Sequence, residues 1–362
     1  MLFCSTITKY LTRKFSWYLL SISLVIFVVL IVSSAFGVLQ KFKSVYIQPQ
    51  DFWLLILLKI PYLFNEVSTI IGFISTILYL RYLSNNNELI VIVSSGLPIW
   101  HIFAIPTILS FIFGLIIVTI INPIASYSLK EHEKIEARLA NNQSQDSVFI
   151  SDAGIFFYEK YKNTHRIIQA RAINVPKKSI SEMIILIVDS KNQLIQRIDT
   201  PYAELNNKQF NILTPIVSTL DKSTTLPKLY LQTNLSIDAL LEKFTPPEMV
   251  SIWKLSDLIN KLTGLGLPTL SYQLHFFKQL FKPISTSAIV LLAFWFLNFD
   301  NRTSKIKTMA LPLVIAIFTY FSLEISLHTL AYGGLSPMFA TLLPILFIIL
   351  ISNFVILHFQ ES

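Results

Sequence analysis

The chain is short of cysteine, glycine and charge, and each shortage removes a class of function. Its one cysteine, Cys4, among 362 residues has no internal disulfide partner and lacks the neighbours a thiolate metal site needs. The nine glycines, at 37, 72, 96, 114, 154, 264, 266, 333 and 334, complete no Gly-x-x-x-x-Gly-Lys-Ser/Thr loop, so the chain cannot itself be a P-loop ATPase. Charged residues make up 14%, against about a quarter in ordinary soluble proteins. His132-Glu133-Lys134-Ile135-Glu136 resembles a zincin helix, but Glu136 stands where the second histidine belongs. A solvated helix with local ion pairs accounts for it, so neither a metal site nor another cofactor is expected. No nucleophile and base pair stands out. The net charge of +8 is not clustered with aromatics on a soluble face, which argues against nucleic acid and for membrane topology and lipid headgroups.

What is abundant is apolar sequence: 53% of residues, with a mean hydropathy of +0.59. A hydrocarbon core about 30 Å thick takes roughly 20 apolar residues per helix, and several such runs are present. Residues 15–40 carry no charge and follow Lys9, Arg13 and Lys14. That run is too long for the core of a signal peptide, so it predicts a first span over 17–39 entering from the cytoplasm. Further spans are expected over 54–80, 100–122, 276–298, 308–330 and 338–358, giving six with both termini cytoplasmic. Between the second and third, Asn85-Asn86-Asn87-Glu88 opens a short apolar helix ended by Gly96 and Pro98, expected at the cytoplasmic surface over about 85–97.

Of the 50 charged residues, 34 lie between Lys130 and Lys282, so a polar insert divides the apolar chain. Residues 129–142 read as a charged helix. From Val148 to about Leu235 the pattern is short β-strands, such as Ile155–Tyr158 and Met183–Val188, separated by turn residues. Seven or more of these with no helical period between them argue for an all-β sandwich or jelly roll. Thr245-Pro246-Pro247-Glu248 reads as a capping box opening a helix from Met249 to Lys261. The organisation is therefore residues 1–128 with three spans, 129–265 with the external β domain and flanking helices, and 266–362 with three more spans.

Positive groups gather at the outer membrane boundary: Lys41 and Lys43, Lys59, and His275, Lys278 and Lys282. The last three share one helical face by their spacing. They suit a phosphorylated lipid headgroup, or the lysines snorkel to the interface. Glu66, Glu324 and His328 lie deeper, where an ionisable group facing lipid costs at least about 2.5–3.5 kcal/mol, so they should face a bundle interior or cavity. Glu324 and His328, four apart, form either a structural pair or a proton relay. A membrane enzyme that modifies a lipid or envelope glycan, with Glu66, Glu324 and His328 as acid–base groups, is the alternative to transport.

Three segments, in this order and spacing, resemble the LptF/LptG family of lipopolysaccharide-export permeases. They are Asn87-Glu88-Leu89-Ile90-Val91-Ile92-Val93-Ser94-Ser95-Gly96-Leu97; Leu255-Ser256-Asp257-Leu258-Ile259 with Gly266 and Tyr272-Gln273-Leu274-His275-Phe276-Phe277-Lys278 to Lys282-Pro283; and Gly333-Gly334-Leu335-Ser336-Pro337 with Leu343-Pro344. The second is more like LptG. Departures are a short external domain and Asn298-Phe299-Asp300-Asn301-Arg302 in place of a glycine-rich basic turn. The resemblance implies a Gram-negative inner-membrane ABC transporter permease without catalytic residues. Its partners would be a second LptF/LptG-type subunit, the cytoplasmic ATPase LptB, and the periplasmic LptC and LptA, with lipopolysaccharide as cargo. On the same ground Glu88, Leu89 and Gly96 belong to the ATPase-coupling helix, where Glu88 either faces the ATPase or caps the helix. Lys41, Lys43, Lys278 and Lys282 would hold phosphates, and Phe156, Ile185 and Ile187 would shield acyl chains in a jelly-roll interior.

Overall fold

The computed structural model describes residues 6–43, 47–95, 99–139, 148–151, 154–161, 164–174, 179–189, 194–206, 209–219, 222–233, 245–293 and 307–361. The helices are α1 (Thr6–Lys41), α2 (Pro49–Asn85), α3 (Glu88–Ser94), α4 (Ile99–Ile116), α5 (Asn122–Leu139), α6 (Ile252–Gly264), α7 (Leu270–Leu280), α8 (Lys282–Ala293), α9 (Lys307–Tyr332) and α10 (Pro337–Glu361). Two compact units form: residues 1–139, 248–253 and 273–362, and residues 140–247 and 254–272.

In the first unit, four stretches among the described residues are long and apolar enough to cross a membrane: Thr6–Lys41, Pro49–Asn85, Trp100–Leu139 and Pro337–Phe354. At 1.5 Å per residue, α1 is about 54 Å long. It therefore overruns a hydrocarbon core of about 30 Å and carries Lys9, Arg13, Lys14 and Lys41 near its ends. α9 occupies the stretch expected for the fifth span, and the end of α7 together with α8 occupies the described part of the fourth. Residues 294–306, with the Asn298–Arg302 segment, lie outside the described residues.

Sequence explains the irregularities. Pro123 has no N–H for the Thr119 carbonyl, and the turn just before it widens: residues 117–121 form a π-helix in which Asn122 N–H bonds the Ile117 carbonyl. Pro283 likewise denies a donor to the carbonyl of Gln279, and the helix is interrupted at Phe281 between α7 and α8. Many hydroxyls on the apolar helices return to their own backbone, as Ser75 to Ile71, Thr76 to Gly72 and Ser352 to Ile348, which satisfies them without water. A Cβ on Gly114 would lie 2.6 Å from Pro283 Cα and 2.6 Å from Thr286 Oγ1. Only glycine lets α4 and α8 approach this closely.

The second unit holds nine strands: β1 (Val148–Ser151), β2 (Gly154–Tyr161), β3 (Thr164–Asn174), β4 (Ser179–Val188), β5 (Leu194–Asn206), β6 (Gln209–Leu213), β7 (Ile216–Ser218), β8 (Ser223–Thr225) and β9 (Lys228–Gln232). They form one antiparallel sheet in the order β1-β2-β3-β4-β5-β6-β9, with β7 and β8 branching from β5. Through β6 this is a meander; beyond it β9 pairs with β6, and β7 returns to β5.

The sheet is interrupted along one transverse row. Ladder pairing skips Arg171 against Glu182 and Glu182 against Pro201. The same row ends on Gly154 and Thr214, and Gly154, Glu182 and Thr214 have φ of 121°, 47° and 47°. Across this row the buried side chains change parity, from Ile168 and Ala170 to Ile173 on β3 and from Met183 and Ile185 to Ile180 on β4. An extra or rotated residue flips the face of everything beyond it. β5 changes neighbour at the same place, from β7 at 197–199 to β6 at 202–206.

The expected capping box does not start α6. A short 3-10 turn occupies Pro247–Met249, and the N–H of Ile252, the first residue of α6, is taken instead by Asn122 Oδ1 at 3.0 Å. That side chain is presented by the residue following the π-helix.

Candidate functional site

The residues singled out in the sequence fall into four places. At one end of α1 and α2, α3 lies against both. Ile92 is buried and Leu89 partly so, in a cluster with Leu11 and Phe15 of α1, Tyr79 and Leu83 of α2, and Ile102 of α4. Ile90 and Val91 remain 66% and 64% exposed. Glu88 accepts hydrogen bonds from Tyr10 Oη at both carboxylate oxygens, each at 3.0 Å. Lys14 Nζ sits 3.6 Å above the Tyr82 ring, and Tyr18 packs on the same ring. Gly96 lies outside the described residues.

At the other end of α1, Lys41 bonds Glu136 of α5 at 2.7 Å, and Arg138 pairs with Asp51 of α2 at 3.4 Å. Both pairs border a packed cluster of Val38, Phe42, Leu55, Ile56 and Ile60 with Ile135 and Leu139. Lys43 is exposed and Lys59 half-buried. The Lys41 side chain is 59% exposed, so its pair is worth about 0–1 kcal/mol and exchanges readily with another anion.

The third place joins residues read separately in the sequence. Lys278 of α7 donates to Glu66 of α2 at 3.1 Å and to Glu324 of α9 at 2.8 Å. Lys282 of α8 is buried and donates to the backbone oxygen of Asn65 and, at 3.0 Å, to its Oδ1. His328 Nε2 lies 3.9 Å from Glu324 Oε1. Glu66, Glu324, Lys278 and Lys282 all line a cavity of about 60 Å³, with the hydroxyl residues Thr69 and Thr341. Two carboxylates and two ammonium groups make a formally neutral set, which is how charges persist among apolar helices. The cavity has room for a few waters. His275, one turn before Lys278, is buried. Its Nε2, and both amide atoms of the fully buried Gln279, find no hydrogen-bond partner among the described residues.

The fourth place is the β sheet. Its buried row runs Phe157, Ile168, Ile185 and Ile198 in register. Ile187 shares that face, next to a buried Glu159–Arg166 pair at 3.7 Å in which Thr233 donates to Glu159 at 2.9 Å. Phe156 pairs in register with Gln169 and so with Ile184 and Asp199, which puts it on the opposite face from Ile185 and Ile187. That opposite face borders an open groove of about 850 Å³ whose walls include Gln169, Arg171, Glu182, Asp199 and Lys261. There Glu182, 2.6 Å away, holds the Arg171 guanidinium above its ordinary pKa.

Sequence reasoning missed Tyr10, Asn65, Glu136, Gln279 and the Glu159–Arg166 pair. The first three act on partners 78, 217 and 95 residues away, which no local spacing reveals. Arg166 and Glu159 carried a weak signal, since each directly adjoins an apolar strand run, Ile167-Ile168 and Ile155–Tyr158.

Long apolar helices, a neutralised polar cluster between them and an inserted antiparallel β domain, with no P-loop in the sequence, define a multi-pass membrane protein. The sequence model of the lipopolysaccharide export system permease LptF/LptG family matches residues 9–358. The chain belongs to this family: it is a permease of the lipopolysaccharide export ABC transporter, a transmembrane transport subunit and not a catalytic enzyme. A comparison with curated proteins gives no match.

Proposed function

We propose that the chain withdraws lipopolysaccharide from the outer leaflet of the inner membrane and passes it toward periplasmic carriers, using ATP hydrolysed by a separate subunit. The observation that carries this reading is the family match along nearly the whole chain. In this reading the helices form six spans with both termini in the cytoplasm. The interrupted sheet belongs to a jelly-roll-like periplasmic domain, and the chain is the LptG-like member of a pair of permeases. LptB docks on α3 through the exposed Ile90 and Val91 together with Glu88, Leu89 and Gly96, and LptC and LptA receive the cargo.

The roles of the cationic residues divide by their surroundings. Lys41, Lys43 and Lys59 receive the phosphorylated headgroup, Lys41 exchanging its exposed contact with Glu136 for a phosphate. Lys278, Lys282 and His275, packed among helices and supplied with carboxylate or carbonyl partners in the case of the lysines, hold α2, α7, α8 and α9 together. Ile185 and Ile187 line the acyl path, and Phe156 contacts cargo from the opposite face of the sheet.

The test is affinity capture of the chain from membranes, with its ATPase and bound lipid identified. ATPase and lipopolysaccharide should copurify, and Glu88→Arg should weaken recovery of the ATPase. Recovery of neither from the unmodified chain contradicts the reading.

A further inference from the structure

We infer that Tyr10 is a positioning residue which links the ATPase-docking helix α3 to the first span, so that motion of α3 is transmitted to the cargo-binding end of α1. This rests on the proposed function and adds to it a route through the chain. The hydroxyl of Tyr10 faces both oxygens of Glu88, each at 3.0 Å, so the carboxylate is held from α1 and its direction is fixed. Next to Tyr10 in sequence, Leu11 is buried in the same cluster as Ile92 of α3. One polar and one apolar contact on adjacent residues thus join α3 to α1. From there α1 continues as a single helix to Lys41, about 54 Å at 1.5 Å per residue. A continuous helix carries a push or rotation along its length, and at its far end Lys41 holds an exposed pair with Glu136.

The hydrogen bond is solvent-exposed, so its loss leaves the fold intact while the direction of Glu88 is freed. Glu88→Gln keeps an oxygen to accept the Tyr10 hydrogen and removes the charge, which separates a positioning role from a charge role.

The experiment uses the whole complex in vesicles, with ATP hydrolysis and lipopolysaccharide release measured separately. Unmodified complex should release lipopolysaccharide when ATP is added; absence of release there contradicts the proposed function and is independent of Tyr10. Tyr10→Phe should leave assembly and hydrolysis intact and lower release per ATP by roughly fivefold or more, and Glu88→Gln, whatever it costs in ATPase docking, should lower release per ATP less than Tyr10→Phe does. Unchanged release per ATP in Tyr10→Phe, or loss of ATPase binding in that variant, overturns the inference. As a second measurement, Tyr10→Cys with Glu88→Cys in a Cys4→Ser background is joined by a bifunctional thiol reagent. The two substitutions remove the hydrogen bond and should lower release per ATP; joining should restore part of it, and no recovery on joining overturns the link.

Discussion

Lys278 Nζ lies 2.8 Å from Glu324 Oε1 and 3.1 Å from Glu66 Oε2, so a single ammonium group ties α9 to α2 through α7. Removing it leaves two carboxylates with Lys282 as the remaining ammonium group lining the cavity. Lys278→Met should lower stability in detergent by about 1–3 kcal/mol, below the range for fully buried pairs because the lysine side chain is 23% exposed. Adding Glu324→Gln to that variant should restore part of the loss. Thermal unfolding followed by tryptophan fluorescence measures both, and equal midpoints for all three proteins would show that the pairing contributes nothing.

Gly114 packs against the Pro283 backbone as well as the Thr286 hydroxyl, so turning one side chain away does not make room. Gly114→Ala should cost about 1–3 kcal/mol by overpacking α4 against α8. Gly37→Ala, with nothing within 4 Å of the new Cβ, should cost nothing. Comparing their unfolding midpoints separates a packing requirement from a general intolerance of alanine at glycine.

The interrupted row of the sheet makes an opposite pair of predictions. Thr214 is β-branched at φ 47°, and Thr214→Gly should raise stability by roughly 1 kcal/mol by relieving that conformation. Gly154→Ala should lower it by more, because its φ is 121° and the new Cβ would stand 2.4 Å from the Ala170 carbonyl oxygen. Hydrogen exchange of β3 and β4 amides reads both; protection falling in Thr214→Gly would mean the row is not strained.

Ile90 and Val91 are exposed on α3 while Leu89 and Ile92 face inward. Ile90→Asp with Val91→Asp should abolish recovery of the ATPase and leave the unfolding midpoint of the isolated chain within about 0.5 kcal/mol of its original stability. Recovery of the ATPase at its usual yield would place the docking surface elsewhere.

Much of this architecture was legible in the sequence because apolar run length is a direct physical requirement of the bilayer. The run from Phe15 to Gln40 lies within α1, and the short apolar segment after Asn87 is α3. Strand centres were legible where apolar residues cluster, as at Met183–Val188. The 13-residue β5 was not, because Arg197, Asp199 and Glu204 alternate with its buried side chains and break its apolar pattern. Nor was the capping of α6, since Asn122 lies 130 residues from Ile252. The site divided in the same way. His275, Lys278 and Lys282 were grouped from helical spacing, but a break at Phe281 puts Lys282 on α8, and the partners of the two lysines, Asn65, Glu66 and Glu324, come from other helices. Spacing gives which residues are neighbours on one helix and says nothing of the helix opposite.

The most direct measurement is membrane sidedness, because cargo loading and ATP hydrolysis must occur on opposite faces. Ser223→Cys on β8 and Ser94→Cys on α3, each in a Cys4→Ser background, are exposed to a membrane-impermeant thiol reagent in intact spheroplasts and again after lysis. Ser223→Cys should label before lysis and Ser94→Cys only after it. Labelling of both before lysis, or of Ser94→Cys alone, would contradict an export permease driven from the cytoplasm.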